Sequence, residues 1–529
     1  MNRLVLLFFY LIVAQCTFAT TINMREAGAI NDGKTLNTQV IRKTIDKLSA
    51  QGGGTLFFPA GTYLTGPIVL KSNITIDIES GATILFSSNF DDYLPFVEMR
   101  YEGVVMKSFS PLFYAYGQEN ITIKGRGKVD GNGQAWWYAA WALEGSKPSD
   151  KELAQRVEKY RTLWDKENSD FQIEQNSDWE GTLAKKFFRP SFIQFYKSKN
   201  IRIEGITLVN SPFWTVNPEF CENVTVDGIT INNPYSPNTD GINPSSCKNV
   251  HIANCHISVG DDCVTIKSGR DAQGRKYGVP CENVTITNCT MLAGHGGVVI
   301  GSEMSGDVRK VAISNCVFDG TDRGIRIKSV RGRGGMVEEI RINNIVMKNI
   351  KKEGIVVSLY YGNSPIEPLS DRTPVFRNIH ISDVTGSNVN VACLVEGIEE
   401  MPVSDVSFDN INMDAKSGFD ISRAKDIRLN NVQVNVQLGA AFKLFNVENV
   451  YLNNLSTLKP LADKPLIEAS DVKGMFVTGC FPLTGNRSFL SLKGAKSDLI
   501  VLSGNYLNRI AHPIEKQDGL NPTINLIEK

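Results

Sequence analysis

The sequence has no excess charge of either sign, no apolar run long enough to cross a bilayer, no paired-cysteine motif and almost no helical periodicity. Lys+Arg and Asp+Glu both number 56, for a formal net charge of zero. That balance excludes a chain-wide polybasic surface, and with it the electrostatic footprint of a nucleic-acid binder. A charged ligand must therefore be met by a local patch. The longest apolar run, Leu4 to Ala14 behind Arg3, has 11 residues, too few for a membrane span. Small residues Thr17 and Ala19 follow it, so residues 1–19 are predicted to be a secretory leader, which implies a secreted or periplasmic protein with no transmembrane segment. Lipid anchoring at Cys16 is the less favoured variant, because Gln15 fits a lipobox poorly. The remaining nine cysteines are odd in number, scattered and without a CxxC pair. They argue against a zinc site or a dense disulfide framework, and for small buried hydrophobes. No metal and no cofactor is expected.

What the sequence does have is repetition. A polar residue followed by Val or Ile alternating with polar residues returns at Asn73, Asn120, Asn200, Asn223, Asn249, Asn283, Lys310, Glu339, Asn378, Asp405, Asp426 and Asn449. From Asn200 the steps are 23, 26, 34, 27, 29, 39, 27, 21 and 23 residues. Alternation over four to six residues predicts half-buried strands, and strands recurring at such a period predict a solenoid. No helix-length segment lies between the copies, which leaves an all-β, right-handed parallel β-helix of about three short strands per coil. The 529 residues then form one unit after the leader, residues 20–529, because a solenoid grows by adding coils. The Asn-Val-Thr sequons are read as coil-start phrases, not as glycan sites.

Two segments break the ladder. Residues 37–50 place Val40, Ile41, Thr44, Ile45 and Leu48 on one helical face, which predicts a short helix capping the apolar end of the solenoid. Residues 134–186 are rich in Trp, Ala, Glu and Lys and predict a helix-and-loop insertion. Its tryptophans (Trp136, Trp137, Trp141, Trp164, Trp179) are expected to pack on the coils rather than stack on sugars.

Four polar clusters share one phase of the repeat. Asn238-Thr239-Asp240 begins 15 residues after Asn223, Asp261-Asp262 12 after Asn249, Gly294-His295-Gly296 11 after Asn283, and Arg326-Ile327-Lys328 16 after Lys310. Phase fixes the lateral face in a β-helix, so these groups should meet on one wall within roughly 15 Å along the axis. Singly each has a plain explanation: an Asp-Asp or Asn-Thr-Asp-Gly turn, a structural histidine, an exposed strand. Their order and common phase point instead to one joint functional site, whose crowded carboxyls suit acid–base chemistry in which one group donates a proton and another activates water. Crowded carboxylates cannot all ionise, so one keeps its proton.

These motifs, together with Gly297 to Ser302 and an opening that includes Gly52-Gly53-Gly54 and Pro59-Ala60-Gly61-Thr62-Tyr63, resemble glycoside hydrolase family 28, the polygalacturonases. The resemblance implies an inverting hydrolase acting on α-1,4-galacturonosyl linkages of a pectic polysaccharide. It implies Asp261 as general acid, Asp240 and Asp262 as bases, and His295 as a hydrogen-bond partner of the acid. Arg326, Lys328, Tyr361 and Asn238 would contact substrate, with Tyr360 competing by one position. Arg326 and Lys328 are expected to face outward together and to suit a substrate carboxylate. Two departures stand out: Asn243 replaces an acidic residue of many relatives, and Met291 stands where a cysteine partner for Cys263 would be, so that bridge is expected to be absent. The insertion suggests exo action, and a monomer is expected. Rhamnogalacturonan hydrolysis ranks second. A calcium-dependent pectate lyase leaves His295 without a role, and a non-catalytic β-solenoid leaves the acid cluster unexplained.

Overall fold

The computed structural model describes residues 20–144, 151–172, 182–183, 186–362 and 364–528; the leader and Trp179 lie outside them. A parallel β-helix is the architecture, in which one sheet of 29 strands winds from Thr21 to Glu528. Every pairing given for it is parallel, and the inward positions stay in register from coil to coil, as in Ile201↔Val224, Val224↔Val250 and Val250↔Val284. Parallel strands joined by crossovers wind right-handedly. Val and Ile of each alternating phrase point inward and are fully buried, forming one continuous axial core.

The polar residue that opens each phrase has a conformational cause. Asn73, Asn120, Asn200, Asn223, Asn249 and Asn283 all have φ between 53° and 64°, the left-handed region that asparagine tolerates best after glycine. Their side chains stack: each amide nitrogen donates to the carbonyl oxygen of the Asn one coil earlier, at 2.8 to 3.0 Å from Asn120 through Asn283. The sequon asparagines are thus held in a hydrogen-bonded ladder. All nine cysteines among the described residues are free and buried.

Helix α1 (Thr38–Ala50) buries Ile41, Thr44, Ile45 and Leu48 against the first strands, as the capping-helix pattern predicts. The insertion forms α2 (Gln134–Glu144) and α3 (Lys151–Glu167). Trp136, Trp137 and Trp164 are buried: Trp136 packs on Phe90, Tyr93 and Phe109, which is the packing role expected of it. A short helix, α4 (Asp271–Tyr277), follows the coil of the Asp pair.

One element was not anticipated: an antiparallel hairpin, Val97–Tyr101 with Val104–Ser108. Glu102 and Gly103 form its two-residue turn, with φ of 43° and 83°, the doubly positive geometry that suits hairpin twist. The hairpin and α3 share a second apolar core in which Met99, Tyr101, Met106, Trp164, Phe188, Phe213 and Trp214 are buried together. Arg100 pins the hairpin to the coils by donating to Glu219 Oε2 (3.0 Å) and Ser246 Oγ (3.0 Å), and it braces the hairpin's own turn by donating to the Gly103 carbonyl. The hairpin thereby crosses the outward wall of the solenoid next to the coil that carries Asp261.

Candidate active site

The four clusters come from one wall. The bridge Ile242↔Val264 and the bond from Gly241 N to the Asp262 carbonyl set Asp240 against Asp262 on adjacent coils. The next coil places Gly296 opposite Asp262, and the one after places Arg326 opposite Val299. Asp240, Asp261 and Asp262 each bring an oxygen within 4.8 Å of the others. Asp261 and His295 occupy the corner that leads into this wall. There His295 Nδ1 lies 3.1 Å from Asp261 Oδ1, and the His295 amide donates to the Asp261 carbonyl at 2.8 Å.

The glycines around His295 are spatial necessities. A Cβ on Gly294 would meet the Asp261 carbonyl oxygen at 2.5 Å and Cys263 Sγ at 2.8 Å. A Cβ on Gly296 would meet Val299 Cγ2 at 2.6 Å and Asp262 Oδ1 at 3.3 Å. Gly296 thus leaves room between Asp262 and Arg326; Arg326 Nη1 reaches Asp262 Oδ1 at 3.3 Å, and Lys328 Nζ reaches Asp262 Oδ2 at 2.7 Å. The expected outward cation pair is thus also a pair of partners for Asp262. Ile327 does face the core, but Lys328 is buried and both cations already neutralise a carboxylate that is only 1% exposed, because a buried Asp262 needs charge partners.

Exposure divides the acids. Asp261 retains 19% side-chain exposure and His295 50%, whereas Asp240 has 4%. Burial, reinforced by the charge of Asp261, pushes the Asp240 carboxyl well above the usual carboxylate range. Burial also acts on Asp262, but Lys328 and Arg326 outweigh it and hold that carboxyl low. The hydrogen bond to Asp261 raises the His295 imidazole. The surroundings thus favour the protonated form of Asp240 and the ionised form of Asp262.

Tyr361 stands over the cations, its ring centre 5.5 Å from Arg326 Cζ and 4.9 Å from Lys328 Nζ. Tyr360 turns away and donates to Glu399 Oε2 between the guanidinium groups of Arg331 and Arg423. Asn238 lies exposed at the rim, where its Oδ1 accepts from Arg189 Nη2 at 2.7 Å. Asn243 is fully buried in the outward row that contains Thr265, a covered position where an acid would add an uncompensated charge.

Sequence reasoning missed Lys267. Its buried Nζ lies 2.7 Å from Glu303 Oε2 and 3.8 Å from Asp240 Oδ2, over the Trp214 ring at 4.5 Å. The alternation that singled out Lys328 applies equally to Lys267 on the Asp262 strand, and Glu303 is the residue directly after the Gly294–Ser302 motif. The hairpin too carries a readable signal, two alternating runs around Glu-Gly. Arg326 and Lys328 both pair with Asp262, while Lys267 lies between Glu303 and Asp240.

The family model for glycosyl hydrolases family 28 matches residues 168–436, and one described as rhamnogalacturonase A/epimerase, pectate lyase-like, matches residues 21–136. A Vitis vinifera protein named a probable polygalacturonase is 31% identical over 75% of this chain and 74% of its own length. An exo-poly-α-D-galacturonosidase of Dickeya chrysanthemi is 28% identical over 81% of this chain and 73% of its own. Among solved structures, a hyperthermoactive exopolygalacturonase of Thermotoga maritima superposes with a TM-score of 0.64 at 34% identity, covering 78% of this chain and 87% of its own.

Proposed function

The chain belongs to glycosyl hydrolases family 28 and is a pectin-degrading glycoside hydrolase; on that premise we propose that it releases galacturonate units from chain ends by an inverting acid–base reaction. The convergence of three aspartates beside His295 and under Arg326, Lys328 and Tyr361 supports this reading. Asp261, the accessible carboxyl, delivers a proton to the leaving glycosidic oxygen. Asp240 and Asp261 bring oxygens within 4.8 Å of each other, and this crowding favours a single proton for the two, the one that is delivered. Once it has been given up, Asp240 and Asp262 form the carboxylate pair that takes a proton from the attacking water, so turnover is proton-neutral. The cluster oxygens are closer than the 6.5–9.5 Å usual between inverting carboxyl groups, so inversion here rests on the family. Arg326 has donors left after meeting Asp262 and takes the substrate carboxylate, with Tyr361 against the ring and Asn238 at the rim.

Exo action is supported by the hairpin. Gln194 and Asn217 share the outward row of Arg326, and they are fully buried beneath Arg100, so the cleft ends there. The insertion stands behind the hairpin through Trp164 and a bond from Lys107 N to Asn168 Oδ1. The match to residues 21–136 contains no cluster residue and bears on the scaffold, not on the substrate. A polymeric substrate outside the cell agrees with a secreted or periplasmic monomer carrying a leader. Among the described residues no helix is long and apolar enough to cross a membrane.

The test is a time course on polygalacturonate, with rhamnogalacturonan in parallel. Monomer or dimer as the earliest product is expected. An initial ladder of oligomers sinks the exo assignment, and preferential rhamnogalacturonan cleavage sinks the substrate.

A further inference from the structure

The corner that carries Asp261 and His295 continues, coil by coil, toward the C-terminus. Asp322 N donates to the Gly294 carbonyl at 2.8 Å, and Lys352 N donates to the Asp322 carbonyl at 2.7 Å. The pairings Glu353↔Val391↔Ser417 carry the same corner onward. Along it runs a groove of about 650 Å³ that begins at Gly320 and ends at Lys459. Five coil steps separate those ends, roughly 24 Å along the axis. Its floor is apolar: Ile350, Val389, Ala415 and Val436 are buried and stand one per coil. Its walls are amides and ammonium groups, chiefly Asn390, Gln437, Lys351, Lys416 and Lys459, with Asp414 as the one lining acid. Lys351 and Lys459 form exposed pairs with Asp322 and Asp414, and among the described residues Lys416 forms none.

We propose that this groove is an extended binding site for an anionic sugar chain, holding the leaving side of the polygalacturonate while its end is cut. Such a chain shows C–H faces and carboxylates in alternation, which matches an apolar floor between ammonium and amide walls. The hairpin closes the cleft at the other end, so a polymer has only this direction in which to run. The proposal rests on the end-cleaving reading given above. The groove is remote enough from the acids that its loss should leave short substrates unaffected.

The experiment compares the wild type with K416A/K459A on polygalacturonate and on trigalacturonate, at low and at high salt. Each exposed carboxylate–ammonium contact is worth a factor of about three. The double variant should therefore lose about tenfold in kcat/KM on the polymer at low salt and nothing on the trimer, and the polymer deficit should shrink at high salt. Equal rates on the polymer overturn the groove, and so does an equal loss on both substrates. Gel retardation of Asp261→Asn protein by polygalacturonate, with neutral galactan and methyl-esterified pectin as controls, reads binding without turnover. Retention that K416A/K459A abolishes supports the site even if the cleavage assignment fails; retention unchanged by the pair of substitutions refutes it.

Discussion

Lys328 reaches Asp262 from two coils away, Nζ to Oδ2 at 2.7 Å, across a coil whose residue in that register is Gly296. The site is therefore built from vertical neighbours in the solenoid rather than from one loop. Gly296 leaves an empty side-chain position between Asp262 and Arg326.

Gly296→Ala tests that gap. The added methyl has Val299 Cγ2 at 2.6 Å and Asp262 Oδ1 at 3.3 Å, so either Val299 gives way in the outward row or Asp262 moves off its cations. Displacements on the order of 1 Å at reacting groups cost about 100-fold. A fall of about 10- to 100-fold in kcat with a nearly unchanged melting temperature is expected, and wild-type kcat would show that the gap is incidental.

The pH profile should be asymmetric. Lys328 and Arg326 hold Asp262 low despite its burial, so the acid limb of kcat/KM should lie below the ordinary carboxylate range. Burial and Asp261 hold Asp240 high, so the alkaline limb reports loss of the shared proton. In Lys328→Met the Asp262 carboxyl loses a cation, and the acid limb should move to higher pH. An acid limb that stays in place would detach Asp262 from Lys328.

Asp261→Asn keeps the shape and removes the transferable proton. Loss of about 100- to 10,000-fold in turnover is expected, with an unchanged circular dichroism spectrum. Because the Asp261 hydrogen bond is the main cause of the raised His295 value, the imidazole should titrate at lower pH in this variant, as NMR can follow. Full activity in Asp261→Asn rules out its role as the acid.

Much of this is legible in the sequence. The period of the Asn-Ile-Thr-Ile phrase specified the solenoid, since inward Val and Ile can be satisfied only by stacking. Phase alone brought Asp240, Asp261, His295 and Arg326 together. What escaped were contacts set by depth. Lys267 and Glu303 are buried beneath the visible acids, and no periodicity distinguishes a cation that faces substrate from one that neutralises a neighbour. For the same reason the Lys328–Asp262 contact is not legible in the sequence. The hairpin was passed over because it lies across the wall, outside the repeat that organised everything else.

The asparagine ladder should be separable into conformation and hydrogen bonding. Asn223 has φ of 58° and bonds both neighbours in its ladder. Asn223→Gly keeps the left-handed backbone and loses the side-chain bonds, each worth about 0.5–1.5 kcal/mol. Asn223→Ala loses the same bonds and adds about 1–2 kcal/mol of backbone strain. Urea denaturation should rank wild type above Gly above Ala. Ala equal to or better than Gly would mean that the φ constraint carries no energy.

Lys267 offers the sharpest stability test. Burial alone would raise Glu303, yet Lys267, followed by Arg333 and Arg270, holds its carboxyl far below the usual range. A depressed carboxylate contributes stability that is present above its unfolded pKa, about 4.3, and is lost as pH falls toward the folded value. Lys267→Met leaves Glu303 without its nearest cation in a site where Lys267 is 4% and Glu303 11% exposed. Breaking such a buried pair costs about 3–5 kcal/mol. The deficit should be full at pH 7 and shrink below pH 4, where Glu303 of the variant takes up a proton and no longer needs a partner. K267M/E303Q should regain most of the loss at pH 7, because both charges are gone and the carboxamide still fills the space. Urea midpoints at the two pH values measure all three proteins, and a deficit that does not change with pH would assign the effect to lost packing against Trp214 instead of to charge.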